Sequence, residues 1–90
     1  MTDKELIELA AKAAGIEWNK AYKAHLNENG AHWLPLTDDG DALRLAVKLE
    51  LIPSYMKFSD MHIKVYSPEE KLIETRRAIV RAAAEIGRTL

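Results

Sequence analysis

Four residues constrain this chain more than any others: Ser67-Pro68-Glu69-Glu70. Ser67 is a helix N-cap, Pro68 suits the first helical position because its missing N–H would find no partner there, and Glu70 completes a capping box. Beyond them Leu72, Ile73, Ile79, Val80, Ala83 and Ile86 recur at helical spacing as an apolar stripe. Glu70, Glu74, Arg77, Arg81, Glu85 and Arg88 take the opposite face, and Gly87 ends the pattern. The spacing predicts a helix over 68–86 whose stripe must be buried. A chain of 90 residues has room for one core, so a single domain spanning 1–90 is expected.

The rest of the chain must supply what covers that stripe. Thr2 and Glu5 form a second capping box, Leu6, Leu9, Ala10 and Ala13 follow at helical spacing, and Gly15 stands where a left-handed cap belongs. A helix over 3–14 follows. Residues 18–26 fit helix and strand equally well. The dipeptide Asn29-Gly30 favours a type I′ hairpin turn, which predicts strands over 20–26 and 31–35, with Leu26 opposite Trp33 and Pro35 at the strand end. Thr37 or Asp38 caps a helix over 38–51, stopped by Pro53. Its apolar arc is wide, with Asp41, Arg44 and Lys48 as the polar strip, so it is buried on several sides or faces a partner. Residues 53–60 read as loop, and 61–66 alternate as a half-buried strand. The expected fold class is α+β: three helices packed on a small antiparallel sheet, a hairpin plus one further strand, layered as an α-β-α sandwich.

Little chemistry is on offer. With no cysteine, disulfides, thiolate catalysis and thiol-rich zinc sites are excluded. His25, His32 and His62 lack metal-ligand spacing and read as strand-surface histidines. Asp38, Asp39 and Asp41 do not match a calcium loop: with Gly40 at the sixth position, Leu34 to Pro35 fall near the start and an alanine or leucine falls where the closing glutamate is needed. No nucleophile–base pair and no glycine-rich phosphate loop is present, so no enzyme activity, cofactor or metal is expected. Trp18, Tyr22, Trp33 and Tyr66 read first as core and cross-strand packing, and otherwise as an interaction surface. Arg76 alone among the arginines falls inside the apolar stripe; a buried guanidinium needs carboxylates, and Asp38, Asp39 and Asp41 are the expected partners in a structural ion pair.

Charge points the same way. Thirteen basic and fourteen acidic residues leave a net charge of −1, which gives a polyanion little attraction. The Arg77/Arg81/Arg88 face is interleaved with glutamates and reads as intrahelical pairing, though it is the one surface a nucleic acid would use. The N-terminal Met1-Thr2-Asp3-Lys4-Glu5 is not a secretory signal and no stretch is apolar enough to span a bilayer, so a cytoplasmic protein without a membrane partner is expected.

Three blocks of the chain resemble a known family. They are Met1-Thr2-Asp3-Lys4-Glu5-Leu6 with Leu9 to Ile16, the run from Trp33 to Leu49, and the run from Thr75 to Arg88. Together they cover about half of the chain and look like the phage alpha-beta-alpha sandwich family, small proteins of tailed phages and prophages; segments 17–32 and 50–74 match poorly. The resemblance implies α-β-α layering and a phage accessory role in the host cytoplasm, and it carries over no catalytic or binding residue. The expected function is a non-enzymatic protein-interaction module acting on a host or phage protein, or as a homodimer. The alternative is a small nucleic-acid-associated protein using Arg77, Arg81 and Arg88.

Overall fold

A computed structural model describes residues 1–51 and 67–90. The fold is α+β, and the described residues form three helices packed on a small two-stranded antiparallel sheet: α1 (Asp3–Ala14), β1 (Trp18–Asn19), β2 (Ala24–His25), α2 (Asp39–Lys48) and α3 (Pro68–Arg88). The further strand expected over 61–66, the loop over 53–60, and with them His62, Tyr66 and Pro53, lie outside the described residues. Among the described residues no helix is long and apolar enough to cross a membrane.

The helix ends follow the capping chemistry. The Thr2 hydroxyl accepts from the Glu5 amide at 3.2 Å and the Ser67 hydroxyl from the Glu70 amide at 3.2 Å. At the end of α1, Gly15 is left-handed (φ 73°), and the Ile16 and Gly15 amides return to the carbonyls of Ala11 and Lys12. The end of α2 repeats that motif with a glutamate in the glycine position. Glu50 adopts φ 55°, and the Leu51 and Glu50 amides reach the carbonyls of Ala46 and Val47. The helix therefore stops at Lys48 rather than running to 51, before Pro53 can act.

The core is made chiefly by helices. Helices α1 and α3 make the most extensive contact among the described residues. They run in the same direction: Arg77 pairs with Asp3, Gly87 lies against Leu9, and Lys12 Nζ donates to the Leu90 carbonyl at 3.0 Å. Small residues line the seam, with Ala10, Ala11 and Ala14 buried on one helix and Ala83 and Ala84 on the other. Gly87 was expected as a stop signal but is helical, since α3 continues to Arg88. Its role is steric. A Cβ there would sit 2.0 Å from the Leu9 carbonyl oxygen, so only glycine lets the backbones approach this closely.

The offset between these helices corrects the stripe. Ile79, Val80 and Ala83 are buried, but Leu72 and Ile73 are exposed. Because α1 begins beside Arg77, the first two turns of α3 extend past its end. Helix α2 departs from expectation as well. It buries Ala42, Leu45 and Ala46 together with Asp41, while Leu43 and Val47 are exposed.

The hairpin region differs most. Strand β1 pairs with β2 through Trp18–His25 and Asn19–Ala24, and residues 20–23, expected as strand, form the connecting turn. The Asn29-Gly30 turn is real but one residue longer than expected. Gly30 alone is left-handed (φ 77°), the Gly30 amide bonds the Asn27 carbonyl, and the Asn27 amide bonds the Ala31 carbonyl. A three-residue loop ending in a left-handed glycine replaces the type I′ turn, which needs positive φ at both central residues. Leu26 consequently faces His32, and Trp33 falls beside His25. The second strand shrinks to that bridge. The Leu34 amide is taken by the Asp41 carboxylate, and the Leu34 carbonyl by the Thr37 and Asp38 amides.

Candidate functional site

Two features stand out once the elements are placed: a buried carboxylate that organises the polar interior, and an aromatic ladder that runs from the core to the surface.

The carboxylate is Asp41, only 2% exposed. The expected polar strip put it at the surface; instead it faces inward from the first turn of α2. It accepts from the Leu34 amide (2.9 Å), the Asn27 side-chain amide (3.1 Å) and Arg44 Nη2 (2.6 Å). Burial alone would push its carboxyl pKa up, but these three donors hold it below the usual carboxylate range. The bond to Asp41 also raises the Arg44 guanidinium above its already high value. Asp41 thus ties α2, the Asn27 turn and the Trp33–Leu34 segment to one point. With its donors all satisfied, it is a structural node rather than a free acid or base. Arg44 is a short-range partner one turn on in the same helix, but nothing local in the sequence marks the burial of Asp41, because its other two partners lie at residues 27 and 34 on separate segments.

The aspartates expected around Arg76 divide their tasks. Asp38 caps α2, accepting from the Asp41 amide at 2.8 Å. Asp39 receives Arg76 Nη1 at 2.6 Å, while Arg76 Nε donates to the Leu36 carbonyl at 2.9 Å. Arg76 therefore clamps α3 to the entrance of α2. The outer arginine face is less uniform than expected. Arg77 reaches across to Asp3 with two bonds of 2.8 and 3.3 Å instead of pairing within its helix, Arg88 pairs with Glu85 at 3.0 Å, and Arg81 is exposed.

The aromatic ladder is Trp18–His25–Trp33. Trp18 meets His25 edge-on with centroids 5.2 Å apart, and His25 meets Trp33 edge-on at 6.2 Å. Burial pushes the His25 imidazole below its usual pKa, against the raising influence of Glu8. The inner rung, Trp33, is 5% exposed and belongs to the core. The outer rung, Trp18, is 55% exposed, and Tyr22 in the adjoining turn is 66% exposed. Of the four aromatics singled out from the sequence, Trp18 and Tyr22 are surface residues, Trp33 is interior, and Tyr66 lies outside the described residues. The turn holding Tyr22 is fixed by its own amide, which donates to Asn19 Oδ1 at 3.1 Å.

A cleft of about 320 Å³ opens behind the ladder, between the end of α1, the second turn and α2. Leu26, Trp33 and Leu45 contribute apolar lining, and Glu17, Glu28 and Lys48 bring both signs of charge. Among the described residues no three His, Cys, Asp or Glu side chains group as metal ligands would. Set against known protein families, curated proteins and solved structures, the chain matches none of them.

Proposed function

We propose that this chain is a non-enzymatic protein-interaction module that docks its partner on the β1–β2 hairpin. The observation that carries this reading is the exposure of Trp18 and Tyr22 on a short, internally bonded turn. Large aromatics held rigidly at a surface lose little side-chain freedom on binding and are the residue types that dominate interface energetics. Trp18 is positioned by the ring beneath it, so its exposure is set by the fold and not by a loose loop. The competing surface, the arginine face of α3, is weakened for this purpose: Arg77 and Arg88 are held by Asp3 and Glu85. A phage or prophage accessory role rests on the resemblance of the three sequence blocks alone.

The test compares the tagged protein with a Trp18→Ala/Tyr22→Ala variant in nuclease-treated lysate of the host cell. A protein retained by the parent and lost by the variant, with unchanged circular dichroism, is the expected result. Equal retention by both would refute the hairpin as the docking surface. Light scattering distinguishes a partner from a second copy of the chain.

A further inference from the structure

We propose that the hairpin recognises an acidic, apolar protein segment, whose carboxylates sit on Lys20 and Lys23 while an apolar side chain covers Trp18 and Tyr22. The inference rests on the hairpin being the docking surface and adds the chemistry of the partner. Trp18-Asn19-Lys20-Ala21-Tyr22-Lys23 places two aromatics and two ammonium groups within six residues, and all four of those side chains are exposed. Neither lysine forms an ion pair with another described residue, whereas Arg44, Arg76, Arg77 and Arg88 each do. Among the described residues, therefore, no carboxylate consumes the two charges. Their spacing is also set: Asn19 pairs with Ala24 across the ladder, and Lys23 closes the turn in a left-handed conformation (φ 51°). Glycine or asparagine adopts that conformation more easily, so lysine at position 23 is held at some backbone cost.

Charge decides the class of anion. Two ammonium groups match two or three carboxylates of a short segment. They are too few for a nucleic acid, whose affinity comes from neutralising a run of phosphates. A long polyanion, or an anionic membrane pressed on the same hairpin, would also meet exposed Glu17 beside Trp18 on a chain of net charge −1. A short acidic segment avoids Glu17 while an apolar side chain uses the rings.

The experiment is a charge swap read by fluorescence anisotropy. The probe is a labelled octapeptide alternating glutamate with leucine and phenylalanine; its counterpart carries lysine in place of each glutamate. The full chain should bind the acidic peptide and not the basic one. Lys20→Glu/Lys23→Glu should weaken the acidic peptide at least about tenfold and gain the basic one, and added salt should weaken both complexes. Absence of acidic-peptide binding, indifference to the charge reversal, or tighter binding to an oligothymidylate or to phosphatidylserine vesicles would each overturn the proposal. If the Trp18→Ala/Tyr22→Ala variant loses its captured protein while Lys20→Glu/Lys23→Glu retains it, the hairpin stands as the docking surface and the acidic partner fails.

Discussion

Replacing Gly87 with alanine tests the packing of the whole molecule with one methyl group. The added Cβ would lie 2.0 Å from the Leu9 carbonyl oxygen and 2.7 Å from its carbon, where ordinary contact begins near 3.4 Å. The obstacle is backbone on both sides, so no side chain can rotate out of the way. Helices α1 and α3 must part by roughly 1.4 Å along that line to restore contact distance. The neighbouring seam is built from Ala10, Ala11, Ala14, Ala83 and Ala84, none of which can extend to refill the gap. Overpacking of this kind costs about 1–3 kcal/mol, and a backbone clash belongs at the upper end. Alanine returns up to about 1 kcal/mol of helix propensity, less in a last turn. A net loss of about 2 kcal/mol follows, which in a domain of this size lowers Tm by roughly 8–16 °C. Thermal unfolding followed by circular dichroism measures it. Gly40→Ala is the milder comparison: its nearest neighbours would be side-chain atoms of Asp38 and Arg44 at 3.2–3.3 Å, which need give only a few tenths of an ångström to keep the helix cap and the Asp41 bond; a loss smaller than at Gly87, within about 1 kcal/mol, is expected there. An unchanged or raised Tm for Gly87→Ala would mean that propensity outweighs the clash and that the close crossing is not needed.

Further substitutions probe the polar interior. Asp41→Ala leaves the Leu34 amide and the Asn27 side chain without their acceptor and should cost about 3 kcal/mol in urea unfolding; a loss below about 1 kcal/mol would contradict its role as a node. Because the folded Asp41 carboxyl lies below its unfolded value of 3.8, its contribution is present above that pH and disappears as pH falls through the folded pKa; Asp41→Asn should flatten the stability curve there. His25 is likewise lowered from 6.5, so stability should decline as pH drops below about 6.5 toward the folded value, a step that His25→Phe removes. Arg76→Ala should cost about 1–2 kcal/mol, since the guanidinium is 15% exposed but its partner Asp39 is 65% exposed and can turn to water. Arg81→Ala should stay within about 0.5 kcal/mol, and equal losses at both positions would erase the distinction. Glu50→Gly should raise stability by up to about 1 kcal/mol by relieving φ 55°; a loss would show that the glutamate side chain matters more than its backbone.

Caps were legible because their physics is local, and the stripes were legible in phase but not in extent. A hydroxyl three residues before an amide finds it, and a glycine just past a helix takes the left-handed cap, regardless of the rest of the chain, which is why Thr2, Ser67 and Gly15 act as the sequence predicts. Errors arose where a local preference met a distant partner. Gly87 reads as a stop by composition, and only the presence of Leu9 on another helix turns it into a contact. Leu72 and Ile73 have the right phase for burial, but phase does not say that α1 starts only at the level of Arg77. Glu50 is invisible as a helix stop because it occupies a glycine position without being glycine.

The candidate site depends on the least local of these effects. A two-residue Asn29-Gly30 turn would have put Trp33 opposite Leu26. The longer loop is instead held by Asn27, whose side-chain oxygen accepts from the Asn29 and Ala31 amides while its nitrogen donates to Asp41. Asp41, fourteen residues on, thus helps choose the turn. The turn sets the register, and a change of one residue moves Trp33 beside His25. His25 is already paired with Trp18 on β1, so the same step that buries Trp33 completes the ladder that supports Trp18 at the surface. The aromatic residues were visible in the sequence, but which of them would face water was decided by a buried aspartate that the helical wheel had assigned to the outside.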